Sequence, residues 1–556
     1  MTESQAELSA SSLNPKRLRA RRWSLSLEAL LAVAALYFIV VLNGPFWSAL
    51  LAGRAFNGST VFFVAAVGIA LVALTYALLS LIVWRPYVRV ALTLLFFTAA
   101  GCVYFMSSFG VVLDPDMLRN LFHTDYREAK EFVGFKLFFV VFAYSVIPIV
   151  FVWWVNIRPQ SWKRTAIVRV AGFAASIVIA AGSLLLVYQD FASVMRNKHE
   201  MRYLLVPGNF LYSSIRALSA DTRAAAKPKE PIATDATMLP AGKTRPLLFV
   251  LVVGETVRAD HFGLNGYEHQ TTPELAKLDV INFSDVTSCG TSTEVSLPCM
   301  FSRWGRAHYN ENKIRSEQSV LNVLARLGVN VLWRDNQAGC KGVCVGDGIR
   351  SDTFLGASVP QLCQEGRCYD EVLLHGLNDR LAANTGPSLV VMHQLGNHGP
   401  AYFSRYPPQF KKFTPTCDTA ELRGCSREAI INSYDNAILY TDYVLAQTIE
   451  LLKSLSDRYD TALLYVSDHG ESLGDHGLYL HGMPYAIAPR EQIHVPMVLW
   501  LSPQFTQTLG ISEACMRERA KQPTSHDNLF HTLLGVFDVQ TSEYDRSKDL
   551  LAGCEQ

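Results

Sequence analysis

Apolar positions along the chain follow two different regimes. Up to about residue 190 they form long uncharged runs, Ala29–Gly53, Ala55–Trp84, Val90–Leu113, Leu137–Ile157 and Val170–Gln189. Each reaches the roughly 20 residues that carry a helix across a bilayer, and soluble cores seldom repeat such a run five times. The pattern predicts five transmembrane helices. The first run is too long, with too many spans behind it, for a cleaved signal peptide. Beyond residue 245 the runs shorten to PLLFVLVVGET (Pro246–Thr256), GVNVLWRDN (Gly328–Asn336), SLVVMHQLG (Ser388–Gly396), TALLYVSDHG (Thr461–Gly470) and VPMVLWLS (Val495–Ser502). These read as strands of a buried, mostly parallel sheet. Helical patterns lie between them, clearest from Ile430 to Leu455, so the prediction is an α/β sandwich whose ligands gather at the carboxyl ends of its strands. Glu255, His398, Asp468 and His469 stand at such ends.

Charge adds a direction. Lys16, Arg17, Arg19, Arg21 and Arg22 precede the first span, Arg85 and Arg89 separate the second and third, and Arg158, Lys163, Arg164 and Arg169 separate the fourth and fifth. The positive-inside rule makes these segments cytoplasmic, and an odd number of spans delivers the rest to the other side, the periplasm of a bacterial envelope. Only Cys102 and a few hydroxyls interrupt the spans, and the absence of a buried ion pair argues against a transport pathway. The outer loop Asp114–Lys136, with Asp116, Met117, Leu121, Phe122 and Phe132, reads as an amphipathic helix on the membrane surface. Phe191–Leu218 continues along the interface, and Ser219–Arg245, with Pro228, Pro231 and Pro240, is a linker. The expected organisation is a membrane domain over residues 1–218, a linker over 219–245 and a soluble domain over 246–556.

Composition agrees with this division. The 556 residues are 50% hydrophobic with a mean hydropathy of +0.16, an average over an apolar half and a globular half. A net charge of +1 lacks the electropositive footprint of a nucleic-acid binder. Of the 11 cysteines, eight form close couples in the soluble half: Cys289 with Cys299, Cys340 with Cys344, Cys363 with Cys368, and Cys417 with Cys425. Disulfides and thiolate metal sites both fit such couples. A location outside the cytoplasm, and no second couple at zinc-finger spacing, favour disulfides. Cys515 and Cys554 are a fifth pair or free thiols.

Three runs carry chemistry. LLYVSDHGESLGDHGLYLHG places Asp468 and His469 together just past a strand, with Glu471, Asp475, His476 and His481 close behind. An Asp-His pair is common in a capped turn, yet carboxylates beside imidazoles also suit Zn²⁺. VLVVGET repeats the geometry with Glu255. TSCGTSTEVSLPCMFS is rich in hydroxyls, Ser288, Thr291, Ser292, Thr293 and Ser296. It reads either as a loop pinned by a disulfide or as a nucleophile at a helix start, where free N–H groups bind a phosphate.

VGET, SCGTSTEVSLPCMFS, NQAGCKGVC, HQLGNHGPAYF and SDHGESLGDHGLYLHG, in this order behind five spans, closely resemble the lipid A phosphoethanolamine transferases, including the mobile colistin-resistance enzymes. The resemblance implies a soluble domain with the alkaline phosphatase or sulfatase fold. It implies transfer of phosphoethanolamine from phosphatidylethanolamine to a lipid A phosphate through a phosphothreonine-type intermediate, with diacylglycerol released and polymyxin resistance conferred. Residue by residue, Thr293 matches the nucleophile, and Glu255, Asp468 and His469 match the ligands of one zinc ion, with the oxygen of Thr293 completing the set. His398 and His481 match histidines that contact the phosphoryl group or a second zinc, and Lys341 a substrate-contacting lysine. Asn120, Thr124 and Glu128 keep the family's four-residue spacing, which would place them on one face of a helix turned to the lipid headgroup. Asp475 and His476 depart from the family's usual Glu-Asn and take no role, and His393 is expected to be structural. The implied setting is a monomer in the bacterial inner membrane, in contact with membrane lipids and without nucleic acid. The neighbouring reading is a phosphoglycerol transferase, or a phosphoethanolamine transferase acting on core heptose, Kdo or a periplasmic glucan.

Overall fold

The computed structural model describes residues 23–555 except 53, 198, 226–227, 239–244, 355, 358, 365–366 and 383. The orienting basic residues Lys16, Arg17, Arg19, Arg21 and Arg22, and Pro240, lie outside the described residues. The chain falls into two compact units. One comprises Met1–Val103, Phe139–Met201 and Leu205–Gly208, the other Tyr104–Phe138, Arg202–Leu204 and Asn209–Gln556.

In chain order the first helices are α1 (Leu27–Val41), α2 (Gly44–Leu51), α3 (Gly58–Ile82), α4 (Val88–Phe109), α5 (Pro115–Phe122), α6 (Tyr126–Glu131), α7 (Phe135–Trp154), α8 (Trp162–Leu185), α9 (Tyr188–Asn197) and α10 (Gly208–Ala225). Among the described residues α3, α4 with the turn before it, α7 and α8 are long and apolar enough to cross a membrane, and α1 with α2, bent by 52°, makes a fifth span when counted as one. The bend follows from Gly44-Pro45, because proline lacks an N–H and disfavours helix in the residue before it. Asn43 repairs the gap: its Nδ2 donates to Phe38 O and Val206 O, both at 2.9 Å, and its Oδ1 accepts from Val206 N at 3.0 Å. One expectation is corrected here. Glu28 and Arg169, just outside the uncharged runs, are 8% and 6% exposed and pair at 3.5 Å, because helix packing brings the span ends together.

The loop Asp114–Lys136 is two short helices rather than one. Asp114 caps α5 by accepting from Met117 N at 2.8 Å, with Pro115 in the first turn. Past Phe122, Thr124 Oγ1 donates back to Asn120 O at 2.7 Å, and Asp125 O takes Ala129 N to begin α6. Thr and Asp in succession favour caps over helix interiors. Asn120, Thr124 and Glu128 therefore do not share one continuous helix face; they lie in α5, in the break and in α6 respectively.

The rest of the second unit is built on eight strands, β1 (Leu247–Gly254), β2 (Ile281–Thr287), β3 (Asn330–Asp335), β4 (Ile349–Thr353), β5 (Ser388–His393), β6 (Asp460–Ser467), β7 (His494–Leu501) and β8 (Thr524–Ser525). Their spatial order is β8-β2-β7-β6-β1-β5-β3-β4, with β7 antiparallel to β6 and β2 and every other pairing parallel. β1 and β6 are buried along their whole length, which is why their sequences lack alternation. α11 (Thr293–Met300), α12 (Arg427–Ser454) and α13 (Asp527–Val536) pack around the sheet, α12 starting where Ser426 accepts from Ala429 N. Parts of residues 219–245 are built into this unit: α10 runs to Ala225, Glu230 bridges to Glu317, and Thr237–Met238 pairs with Val539–Gln540.

Candidate active site

The site forms where β1, β5 and β6 end side by side. Glu255 follows β1, and Asp468 and His469 follow β6. The turn after β5 must come close, since a Cβ on Gly396, whose φ is +49°, would stand 2.8 Å from Glu255 O. Glu255, Asp468 and His469 are fully buried, and their ligand atoms lie within 4.8 Å of one another.

The three side chains are aimed by their own hydrogen bonds. Asp468 Oδ1 accepts from Thr256 N at 3.2 Å and His469 N at 2.7 Å, leaving Oδ2 without a hydrogen-bond partner. Glu255 Oε2 accepts from Gln337 Nε2 at 3.1 Å, and Oε1 is likewise without one. His469 Nδ1 donates to Gly470 O at 2.9 Å, which leaves Nε2 as the atom turned to the two carboxylates and the one that would offer a lone pair to a bound cation. Two orphaned buried carboxylate oxygens and an oriented imidazole fit a divalent cation of the zinc type.

Electrostatics agree with that donor set. Burial and the adjacent Glu255 charge push the Asp468 carboxyl up to about 6. Burial alone would lower His469, but the carboxylates of Asp468 and Glu255 outweigh it and hold the imidazole up to about 10. For Glu255 burial acts upward, and the hydrogen bond and charge of His469 more than reverse it, so its carboxyl lies below the usual range. The cluster demands positive charge.

Thr293 is the first residue of α11, and its Oγ1 donates to Glu255 Oε2 at 2.9 Å and lies 3.4 Å from His469 Nε2. Close approach of this loop is set by Gly290, where a Cβ would meet Ser296 N at 2.8 Å. Thr291 instead donates to Met483 O at 2.6 Å. The His481 ring lies 4.4 Å from the His469 ring, tilted by 45°, and His398 lies 5.4 Å from the His481 ring, so both histidines border the cluster. Lys341 is placed one residue away from the hydroxyl, with Nζ 4.0 Å from Glu294 Oε2 and donating to Ala338 O at 3.2 Å. Glu128 is buried in a small chamber that also touches Gln337, Arg367 and Arg405, whereas Asn120 and Thr124 are half-buried ahead of it. His393 pairs with Asp335 at 3.0 Å, and Asp475 is taken up by Arg258 at 2.8 Å and Arg427 at 2.6 Å.

The structure pairs Cys289–Cys299, Cys340–Cys344, Cys363–Cys368, Cys417–Cys425 and also Cys515–Cys554. The first two flank the loops that carry Thr293 and Lys341. Sequence reasoning left three site neighbours without a role. Gln337 stands inside the NQAGCKGVC run, so its signal was available. Glu471, fully buried with Oε1 lacking a hydrogen bond and Oε2 3.4 Å from His481 Nδ1, stands inside the SDHGESLGDHG run. Arg405 belongs to no motif and comes to the site only through tertiary packing.

Comparison with known proteins places this geometry. The Sulfatase family model matches residues 248–539, and the model described as Phosphoethanolamine transferase EptA/EptB matches residues 71–222. Phosphoethanolamine transferase EptA of Escherichia coli strain K12 is 39% identical over 96% of this chain and 98% of its own length. Phosphatidylethanolamine transferase Mcr-1 of Escherichia coli is 40% identical over 84% of this chain and 86% of its own. Among solved structures, the integral membrane protein lipooligosaccharide phosphoethanolamine transferase A (EptA) from Neisseria meningitidis superposes with a TM-score of 0.91 at 35% identity, covering 96% of this chain and all of that one (100%).

Proposed function

The chain belongs to the phosphoethanolamine transferase family, and we propose that it moves phosphoethanolamine from phosphatidylethanolamine to a phosphate of lipid A through a covalent intermediate on Thr293. The observation that carries this reading is the Thr293 hydroxyl at the start of α11, 2.9 Å from a fully buried carboxylate of the Glu255, Asp468 and His469 cluster. In the first half-reaction Thr293 Oγ1 gives up its proton, bonds to phosphorus and displaces diacylglycerol, which leaves with a proton on its freed oxygen. In the second, an oxygen of the lipid A phosphate takes the phosphorus and Thr293 recovers its proton. Glu255 Oε2 is the acceptor placed to draw the proton from Oγ1. His398 and His481, which border the cluster, would meet the phosphoryl oxygens, and Glu128 is the carboxylate available to the ethanolamine ammonium as a charge-assisted hydrogen bond.

Glu255, Asp468 and His469 are the residues that would hold a zinc ion. Bound there, zinc would ease ionisation of the Thr293 hydroxyl and offset charge on the phosphoryl oxygens. The protein is multi-pass in the membrane; its place in the inner membrane, with a periplasmic catalytic domain at residues 246–556, a membrane domain at 1–218 and a connecting segment at 219–245, is part of the same proposal. An added ammonium group lowers the negative charge of lipid A and so weakens its attraction for polycationic polymyxins.

Mass spectrometry of lipid A tests the reading. Cells with the protein should show a phosphoethanolamine adduct that cells with Thr293→Ala lack, while Thr291→Ala retains it. Asp468→Asn should lose zinc by elemental analysis together with the adduct. An adduct on a core sugar alone, or one that survives Thr293→Ala, would refute it.

A further inference from the structure

The segment 120–131, which carries Glu128, the carboxylate offered to the donor headgroup in the reading above, is held by two side-chain contacts which that reading does not use. At one end His123 Nδ1 lies 3.1 Å from Glu294 Oε2, and Glu294 adjoins Thr293. At the other, Glu131 closes α6 three residues after Glu128, which places both carboxylates on one side of that helix. Glu131 accepts from Arg405 Nη2 with both oxygens, at 2.8 and 2.7 Å, and also pairs with Arg367. The Arg405 side chain is 1% exposed, and its Nε donates to His398 O at 2.6 Å. One carboxylate thereby connects the helix that carries Glu128 to the turn that carries His398. Arg405, Arg367, Glu128 and Gln337 line the same chamber, and Gln337 reaches Glu255.

We propose that Glu131 is a positioning residue: through Arg405 and Arg367 it sets the distance between the carboxylate that receives the ammonium, Glu128, and the imidazole that faces the phosphoryl group, His398, and so matches the site to the length of ethanolamine. The inference rests on the donor reading above. Glu131 touches neither headgroup nor phosphorus in that scheme. Its effect is geometric. α6 has six residues, too few to hold a helix in water by themselves. Its placement therefore depends on what its ends grip. Burial raises the Glu131 carboxyl, but the guanidiniums of Arg405 and Arg367 outweigh burial and keep it ionised. With Glu131 neutral, both guanidiniums would lose their charged partner and α6 would lose the attraction that holds its last turn against them.

The test is selectivity between donors of different length. The full chain is reconstituted in vesicles containing phosphatidylethanolamine or its homologue with a three-carbon amino alcohol, and diacylglycerol release is followed. The wild type should prefer the ethanolamine lipid by about ten-fold or more in kcat/KM, the usual worth of one methylene in a fitted site. Glu131→Gln should lose about ten-fold or more on the ethanolamine lipid, as a displacement near 1 Å does, yet far less on the longer donor, so the preference collapses. Arg405→Lys keeps the charge but has a single nitrogen, which cannot hold Glu131 and His398 O at once. It should compress the same ratio, and it covers the case in which Glu131→Gln does not fold. Equal losses on both donors, with or without a lower melting temperature, would show a merely structural ion pair and overturn the inference alone. A wild type that cleaves neither donor would sink the donor reading and this inference together.

Discussion

His526 shows how much of this site is held from behind. Its Nδ1 accepts from Cys289 N at 3.0 Å and its Nε2 donates to Ser467 O at 2.9 Å, so it ties the start of the Thr293 loop to the end of β6. Only the neutral imidazole accepts at one nitrogen while donating at the other. Burial holds its pKa down to about 4 from an ordinary 6.5, and a cation in the neighbouring cluster would act in the same direction. A histidine with a depressed folded-state pKa contributes stability that is complete above the unfolded value and is lost as pH falls toward the folded one. The window is therefore pH 6.5 down to 4, and the linkage amounts to about 3 kcal/mol. Thermal unfolding followed across this window should show a shallower loss of melting temperature for His526→Gln than for the wild type, from a lower starting point. Parallel curves would show that His526 is not the titrating group. Nothing in the sequence marked this residue, because its role is defined by two backbone groups 237 and 59 positions away.

At the scale of elements, α11 is the piece least able to stand alone. It has eight residues, contains Pro298, and is shorter than isolated helices that persist in water. Its first residue must nevertheless be held to a fraction of an ångström. Cys289–Cys299 closes a loop of ten positions across its start, and Ser296 Oγ donates to Asp468 O from its interior. A crosslink of this span contributes about 2–3 kcal/mol by restricting the unfolded chain. Five disulfides take up ten of the 11 cysteines, leaving Cys102 of α4 as the free thiol. Thiol labelling in denaturant without reductant should therefore tag one cysteine per chain, and all 11 after reduction. Labelling of Cys289 and Cys299 before reduction would contradict the pairing. The couples were visible in the sequence as close spacings, whereas for Cys515 and Cys554, 39 positions apart, the sequence left a fifth pair and free thiols both open.

For the whole molecule, side of the membrane is the property on which the proposed chemistry depends. Trypsin added to intact spheroplasts should cut the chain beyond residue 218 while leaving cytoplasmic segments protected, as read by immunoblots against each end. Full protection until the membrane is opened would place the catalytic unit on the wrong side for lipid A. Hydrophobic run length determined the spans, because a bilayer needs about 20 apolar residues wherever they occur. The same logic made β1, β3, β5, β6 and β7 legible as short apolar runs, and put Glu255, Asp468 and His469 at their ends. β2 escaped because its buried Ile281, Phe283 and Val286 alternate with half-exposed positions and no run forms. Local patterns could not reveal the break between α5 and α6, where Thr124 and Asp125 compete with helix through their own hydrogen bonds, nor the buried pair of Glu28 with Arg169. The grip of Glu131 on Arg405 joins residues 274 positions apart. Such contacts carry no periodicity along the chain, since they are chosen by which surfaces meet once the sheet and helices have packed, and that was decided by the tertiary structure alone.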